Sequence, residues 1–299
     1  MKAIGHFALA LFSVFAAPSL LAAEESAEES QVRQRIEKLA AGLSPQSGEI
    51  SLPGGKAKLN LPDSLRYLGP ADAQTVLVSI WGNPPDKGDP SLGLIVPKGF
   101  NPMSDDCWAV DVSYEEDGHV KDDEADSINY DDMLKTMKEG TKSANAERVK
   151  AGYEPVELVG WAAKPHYDRQ THKLYWAKEI KFGDGPENTL NYNIRILGRQ
   201  GMLVLNAIAG MPQLAEIEAA TPELLSTVEF TDGNRYADFN PSTDRVATYG
   251  IAALVAGGIA TKMGFFKGLW LAVLAGKKFI ILGVIALAAA AKKLFSSKG

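Results

Sequence analysis

The chain has 299 residues, 45% of them hydrophobic, and a net charge of −6. A chain of this length buries a self-sufficient core without covalent staples, and its single cysteine, Cys107, excludes an intrachain disulfide. Its acidic balance disfavours nucleic acid as a partner, and it holds no Gly-rich phosphate loop.

Lys2 supplies a positive n-region, Phe7 to Ala17 an apolar core, and Leu20-Leu21-Ala22-Ala23 small residues for cleavage before Glu24-Glu25. An apolar run of this length is too short for a bilayer core of about 30 Å, so residues 1–23 read as a cleavable secretory signal. Cys107 lies far from that cleavage region and cannot be a lipoprotein acylation site. Beside Trp108, in an apolar strand-like run, it reads as a buried structural thiol.

Residues 24–45 form a polar lead-in with helical spacing over Gln31–Ala41. The exported domain is expected over 46–245. Gly48–Leu52 and Lys56–Leu61 alternate with period two around Pro53-Gly54-Gly55, which predicts a β-hairpin. Asp72–Trp81 follows as a short helix stopped by Gly82-Asn83-Pro84-Pro85, then Leu92–Pro97 and Trp108–Tyr114 as strands, the second entering a turn at Glu116-Asp117-Gly118. Tyr130–Ala151 has a helical apolar stripe at Met133, Leu134 and Met137, with Asn129 as N-cap and Asp132 three residues on. Strands are expected at Val156–Ala162, Leu174–Phe182, Leu190–Leu197 and Met202–Ala209. Pro212–Phe230 closes the domain as helix, with Pro222 marking a break or a second helical start. Strands at hairpin spacing among a few helices predict an α+β fold, an antiparallel sheet with helices packed against it.

From Val246 onward the chain carries seven lysines and no acidic residue, whereas residues 24–245 carry a net charge of −14. That polarity fits a membrane anchor with a basic end held inside. Phe279–Ala291 is uncharged but only about 20 Å long as a helix, so it spans if the flanking lysines snorkel or if Leu269–Gly276 joins it. A single span, a two-helix hairpin and an interfacial helix on anionic headgroups all remain open. Lys292, Lys293 and Lys298 resist export and favour the single span; Lys277-Lys278 oppose it. The anchor residues are then Leu269, Phe279, Ile281, Val284 and Leu287, closed by Lys292 and Lys293. Gly250, Gly257 and Gly258 in the run Tyr249–Ala260 suit close helix packing, which makes a membrane protein partner or a homo-oligomer an expectation beside the lipid bilayer itself.

Several motifs stand in a recognisable order: Trp81-Gly82-Asn83-Pro84-Pro85, Val112-Ser113-Tyr114-Glu115-Glu116-Asp117-Gly118, Pro165-His166-Tyr167-Asp168, Thr171-His172-Lys173-Leu174-Tyr175-Trp176 and Tyr236-Ala237-Asp238-Phe239-Asn240-Pro241. From about residue 45 to the C-terminus this order resembles the bacterial membrane-anchored family called domain of unknown function 2167. The resemblance implies an exported domain tethered by its C-terminal apolar region in the bacterial inner membrane, and it carries over no catalytic residue. The helix and strand alternation is also similar to the small PsbP-type α/β sandwiches.

The densest chemical constellation runs from Trp161 to Glu179. His166, Asp168, His172 and Glu179 are the candidate acid/base residues, since a carboxylate can orient a histidine that titrates near neutrality. His166 and His172 with Asp168 also have the makings of a metal set, but no second ligand cluster and no hydrolase motif accompanies them. The alternative is an aromatic strand pair with Asp168 holding a turn. Glu115–Asp132 is rich in carboxylates without the offsets of a calcium loop, and reads as a solvated loop leading into a helix N-terminus. Trp81 has two readings, a ligand grip or a core residue ending a helix. The expectation is a periplasmic interaction or ligand-binding module that needs no cofactor; the alternative is an envelope enzyme centred on His166–Glu179.

Overall fold

The computed structural model describes residues 27–83, 90–104, 106–150, 153–185 and 187–257. The lead-in forms α1 (Ala27–Ala41), and β1 (Gly48–Ser51) pairs with β2 (Ala57–Leu61) as the hairpin that the alternation predicts. Gly54 and Gly55 make its turn at φ of 85° and 69°, a region that side chains with a Cβ rarely enter. Next come β3 (Leu65–Leu68) and α2 (Pro70–Gln74), which widens into a π-helical segment over Thr75–Ile80. The chain continues through β4 (Gly93–Pro97), β5 (Ala109–Glu115) and β6 (His119–Lys121) to α3 (Tyr130–Lys150). Asn129 caps α3 as predicted: its Oδ1 accepts from the amides of Asp131 and Asp132 at 3.1 and 3.2 Å. Four long strands follow, β7 (Val156–Asp168), β8 (Lys173–Phe182), β9 (Thr189–Leu197) and β10 (Met202–Gly210). The described part closes with α4 (Leu214–Thr227), β11 (Val228–Phe230), β12 (Val246–Gly250) and α5 (Ile251–Ala256).

Seven strands form one antiparallel sheet in the order β3-β4-β5-β10-β9-β8-β7. Strand alternation sends every second side chain to opposite faces, and both faces are covered. On one face, α4 and a three-stranded sheet (β1-β2-β11) bury Leu59, Tyr192, Ile194, Leu205, Ile217 and Leu224. On the other, α5 packs with Leu174, Trp176, Met202 and Val204; α1 and α2 cover the β3-β4-β5 end, and α3 lies along β7. The fold is therefore α+β with antiparallel sheets and helices against them.

Four features depart from the expectations. Val228–Phe230, expected to be helical, turns into a strand on β2, because Val228 and Phe230 face the core while Glu229 points out. Pro222 does not break α4; it sits inside the helix on an exposed position. Residues 246–256, assigned above to the anchor, belong to the folded domain: β12 pairs in parallel with β6, and Ile251 and Val255 are fully buried. Gly257 ends α5 in the left-handed conformation, so its glycine serves a helix C-cap. Among the described residues, no helix is long and apolar enough to cross a membrane. The signal segment and the anchor residues Leu269, Phe279, Ile281, Val284, Leu287, Lys292 and Lys293 lie outside the described residues.

Candidate functional site

The β7–β8 hairpin carries the predicted constellation, and its alternation divides that constellation between two faces. His166 and Asp168 on β7 stand opposite Tyr175 and Lys173 on β8, facing α4. Tyr167 and His172 face the opposite side. Glu179 lies four residues beyond Tyr175, roughly 13 Å along the strand, and accepts a hydrogen bond from Asn188 Nδ2 at 2.6 Å.

The face toward α4 contains a groove of about 500 Å³. Tyr192 and half-buried Tyr175 form its floor, their rings parallel at 6.5 Å, and exposed His166 leans over Tyr175 at 5.2 Å. Thr221 Oγ1, on α4, lies 2.9 Å from Tyr192 Oη and fixes that ring. The α4 wall adds Glu218, Pro222, Leu225 and Ser226. Lys173 closes one end by donating to the Leu225 and Val228 carbonyls at the C-terminus of α4, where the helix dipole favours a cation. Burial lowers the affinity of the Lys173 amine for its proton. Asp168 is committed to the turn: its Oδ1 accepts from the amides of Gln170 and Thr171, at 2.8 and 3.3 Å, and its Oδ2 accepts from the Thr171 hydroxyl at 2.8 Å. The Thr171 hydroxyl is the leading cause holding this carboxyl below the usual range.

The opposite face holds a hydrogen-bonded network around Asp122. Tyr167 donates to Asp122 Oδ2 at 2.8 Å, and the Tyr236 hydroxyl shares its proton between Val120 O at 2.9 Å and Asp122 Oδ1 at 3.2 Å. With the Tyr167 proton spent on Asp122, the 3.1 Å contact to His172 is best served by an Nδ1–H that donates to the phenol oxygen. Arg169 reaches Asp122 at 3.5 Å and Asp126 at 2.9 Å. The rings of His172, Tyr236, His119 and Phe239 stack in a column with successive centroids 3.9, 4.2 and 4.0 Å apart. Burial pushes His172 and His119 below the ordinary histidine pKa, so both are neutral near pH 7. Burial, then the hydrogen bond to Asp122, pushes Tyr167 far above the usual phenol range. His172 holds the one non-glycine positive φ among the described residues, 54°, which lets the turn swing its ring onto Tyr236.

The structure thus brings His166 and Asp168 into one groove, places His172 on the other side of the sheet, and leaves Glu179 remote from both. Among the described residues, no group of three or more His, Cys, Asp or Glu side chains is placed to hold a metal ion. Trp81 is buried and donates from Nε1 to Pro102 O at 2.8 Å, a core position, and Cys107 is buried as expected. Sequence reasoning missed Tyr192, Glu218 and Thr221, which join the groove from distant elements. It also missed Asp122, whose side chain is 13% exposed where Asp126 is 85% exposed. Nothing in a carboxylate run marks which members are drawn inward.

A family model described as Protein of unknown function (DUF2167) matches residues 44–288, and the chain belongs to that family. No curated protein sequence matches the chain. Among solved structures, cyanobacterial PsbP (CyanoP) from Synechocystis sp. PCC 6803 is similar at 9% identity over 63% of this chain and 92% of that one. Its TM-score of 0.33 is too low to carry an argument.

Proposed function

We propose that this chain is an envelope protein whose exported α+β domain is held at the bacterial inner membrane by its C-terminal segment and acts by binding a ligand in the α4 groove. The observation that carries the binding reading is the groove itself, with its aromatic floor and a rim that mixes Lys173, Glu218, Thr171 and Ser226. Its volume lies within the range of small-molecule sites. The lining suits a ligand with a flat or apolar face to stack on Tyr175 and His166 and a polar edge to meet the rim. Of the candidate acid/base carboxylates, Asp168 spends both oxygens on its turn and Glu179 lies roughly 13 Å along the strand from Tyr175. The tether rests on the signal-like residues 1–23, the seven lysines after Val246 and the charge contrast with 24–245. It confines the groove to a thin layer beside the bilayer and raises its effective concentration for membrane neighbours.

Two experiments test this reading. Alkaline carbonate extraction of cell envelopes should leave the full chain in the membrane fraction, and release into the supernatant would remove the tether. A fragment library screened against the full chain should give hits that cluster against Tyr175 and Tyr192. Hits scattered evenly over the surface would remove the groove.

A further inference from the structure

The face of the large sheet covered by α5 holds two cations that the groove does not use. Lys178 on β8 and Arg195 on β9 flank one indole: Lys178 Nζ lies 5.9 Å and the Arg195 guanidinium carbon 5.2 Å from the centre of the Trp176 ring. Among the described residues, each donates to neutral oxygens. Lys178 reaches Val255 O at 3.0 Å; Arg195 reaches Ile194 O at 2.9 Å, Asn206 Oδ1 at 3.1 Å and Asn193 Oδ1 at 3.4 Å. Among the described residues, neither forms an ion pair, and Glu115 attracts Arg195 only from longer range.

Cations drawn this far out of water are ordinarily matched by anions. Desolvation, followed by the repulsion of Arg195, pushes Lys178 down to about 7, and desolvation pushes Arg195 down to about 10. Both side chains nevertheless keep part of their surface in solvent. Trp176, only 2% exposed, buries its Nε1 donor on the same face without a hydrogen-bond acceptor among the described residues. Among the described residues, two cations without an ion pair flank one indole whose own Nε1 lacks an acceptor, and an uncharged ligand would leave that charge without an anion. Val255, the oxygen partner of Lys178, stands two residues before Gly257, where the described chain gives way to the basic segment 258–299.

We propose that Lys178 and Arg195 form the receptor for a phosphate-bearing anion, the chemistry shared by an anionic lipid headgroup and free phosphate. The headgroup as source rests on the membrane tether proposed above; the phosphate chemistry does not. An anion seated there favours the charged amine and so withdraws Lys178 from acylation.

The test is residue-resolved acylation of the full chain at about pH 6, read by mass spectrometry, with exposed Lys98 as internal control. Three conditions are compared: detergent alone, detergent with inorganic phosphate, and nanodiscs containing phosphatidylglycerol against nanodiscs of phosphatidylcholine. A rise of one unit in the Lys178 pKa slows its labelling roughly tenfold at that pH. Slowing by inorganic phosphate, with Lys98 unchanged, supports the phosphate receptor. Slowing only in phosphatidylglycerol discs supports it with the headgroup as source. Slowing in neither, or equal slowing of Lys98, overturns it. Arg195→Gln should abolish the protection while leaving Lys98 labelling alone. Release of the chain by carbonate with phosphate protection intact would remove the tether and the lipid source but leave the receptor standing.

Discussion

The two faces of the β7–β8 hairpin tip use the same residue types for opposite ends. Toward α4, His166, Lys173 and Tyr175 surround open space, and their polar atoms are only partly engaged within the protein. Toward β6, Asp122, Tyr167, His172 and Tyr236 engage one another within hydrogen-bond and stacking distance. A histidine beside tyrosines is therefore no indicator of a working site. What separates the two is whether the polar atoms are already satisfied. The groove face is left to meet something else, and the Asp122 face holds the hairpin to the strand pair β6–β12.

Breaking the Asp122 face should have the largest effect on stability. Asp122→Ala leaves two half-buried phenols and Arg169 without their shared acceptor, at a cost of about 2–3 kcal/mol. Denaturant titration of the full chain would show it, and a loss below about 0.5 kcal/mol would mean that the network is ornamental. The groove floor gives the next effect. Tyr175→Ala removes a half-buried ring at about 1–2 kcal/mol and leaves the fold, but abolishes fragment binding.

Acid should reveal the network in a second way. His172 and His119 titrate lower in the folded protein than in the unfolded chain, whose histidines titrate near 6.5. Below that value the unfolded chain binds more protons, so stability is full at higher pH and declines as pH falls from about 6.5. Measured as the urea midpoint, that decline should flatten in His119→Gln/His172→Gln. A slope unchanged by the double variant would assign it to other groups. Asp244 contributes a further decline at lower pH. Arg199 grips its carboxylate through Nε and Nη2 at 2.7 and 3.0 Å and holds the carboxyl far below the usual range. Its stabilisation is present above about 3.8 and is lost as pH falls toward the folded value, and Asp244→Asn should remove that dependence.

The smallest effect belongs to the turn between the faces. Asp168→Asn keeps one acceptor and weakens the Thr171 hydrogen bond. The melting temperature should fall slightly and fragment hits should persist, whereas complete loss of hits would give Asp168 a direct part in binding.

Much of this division was legible in the sequence. The β1–β2 hairpin, the Asn129 cap and the four long strands, β7 only as far as Ala162, followed from alternation, turn glycines and capping residues. Alternation on β7 also places His166 and Tyr167 on opposite faces, so the split of the His166–Glu179 run was available in principle once its strand bounds were known. Three things were not available. The short strands β3, β6 and β11 have only three or four residues each, too few for a period to declare itself. The parallel pairing of β6 with β12 joins residues more than 120 positions apart, and no local pattern encodes it. The apolar composition of Tyr249–Ala256 fits a membrane segment and a buried helix equally well, and only packing on Trp176 and Val204 decides for the second. In the groove, Lys173 and Tyr175 lay inside the suspected run, whereas Thr221 and Glu218 enter it only because α4 folds back over β8 and β9.

The most direct test compares fragment binding by Tyr175→Ala and His172→Ala in the full chain under one condition. The account predicts that Tyr175→Ala loses the hits clustered in the groove while His172→Ala retains them and only melts earlier. Loss of binding in His172→Ala with retention in Tyr175→Ala would move the working face to the Asp122 network and contradict the account.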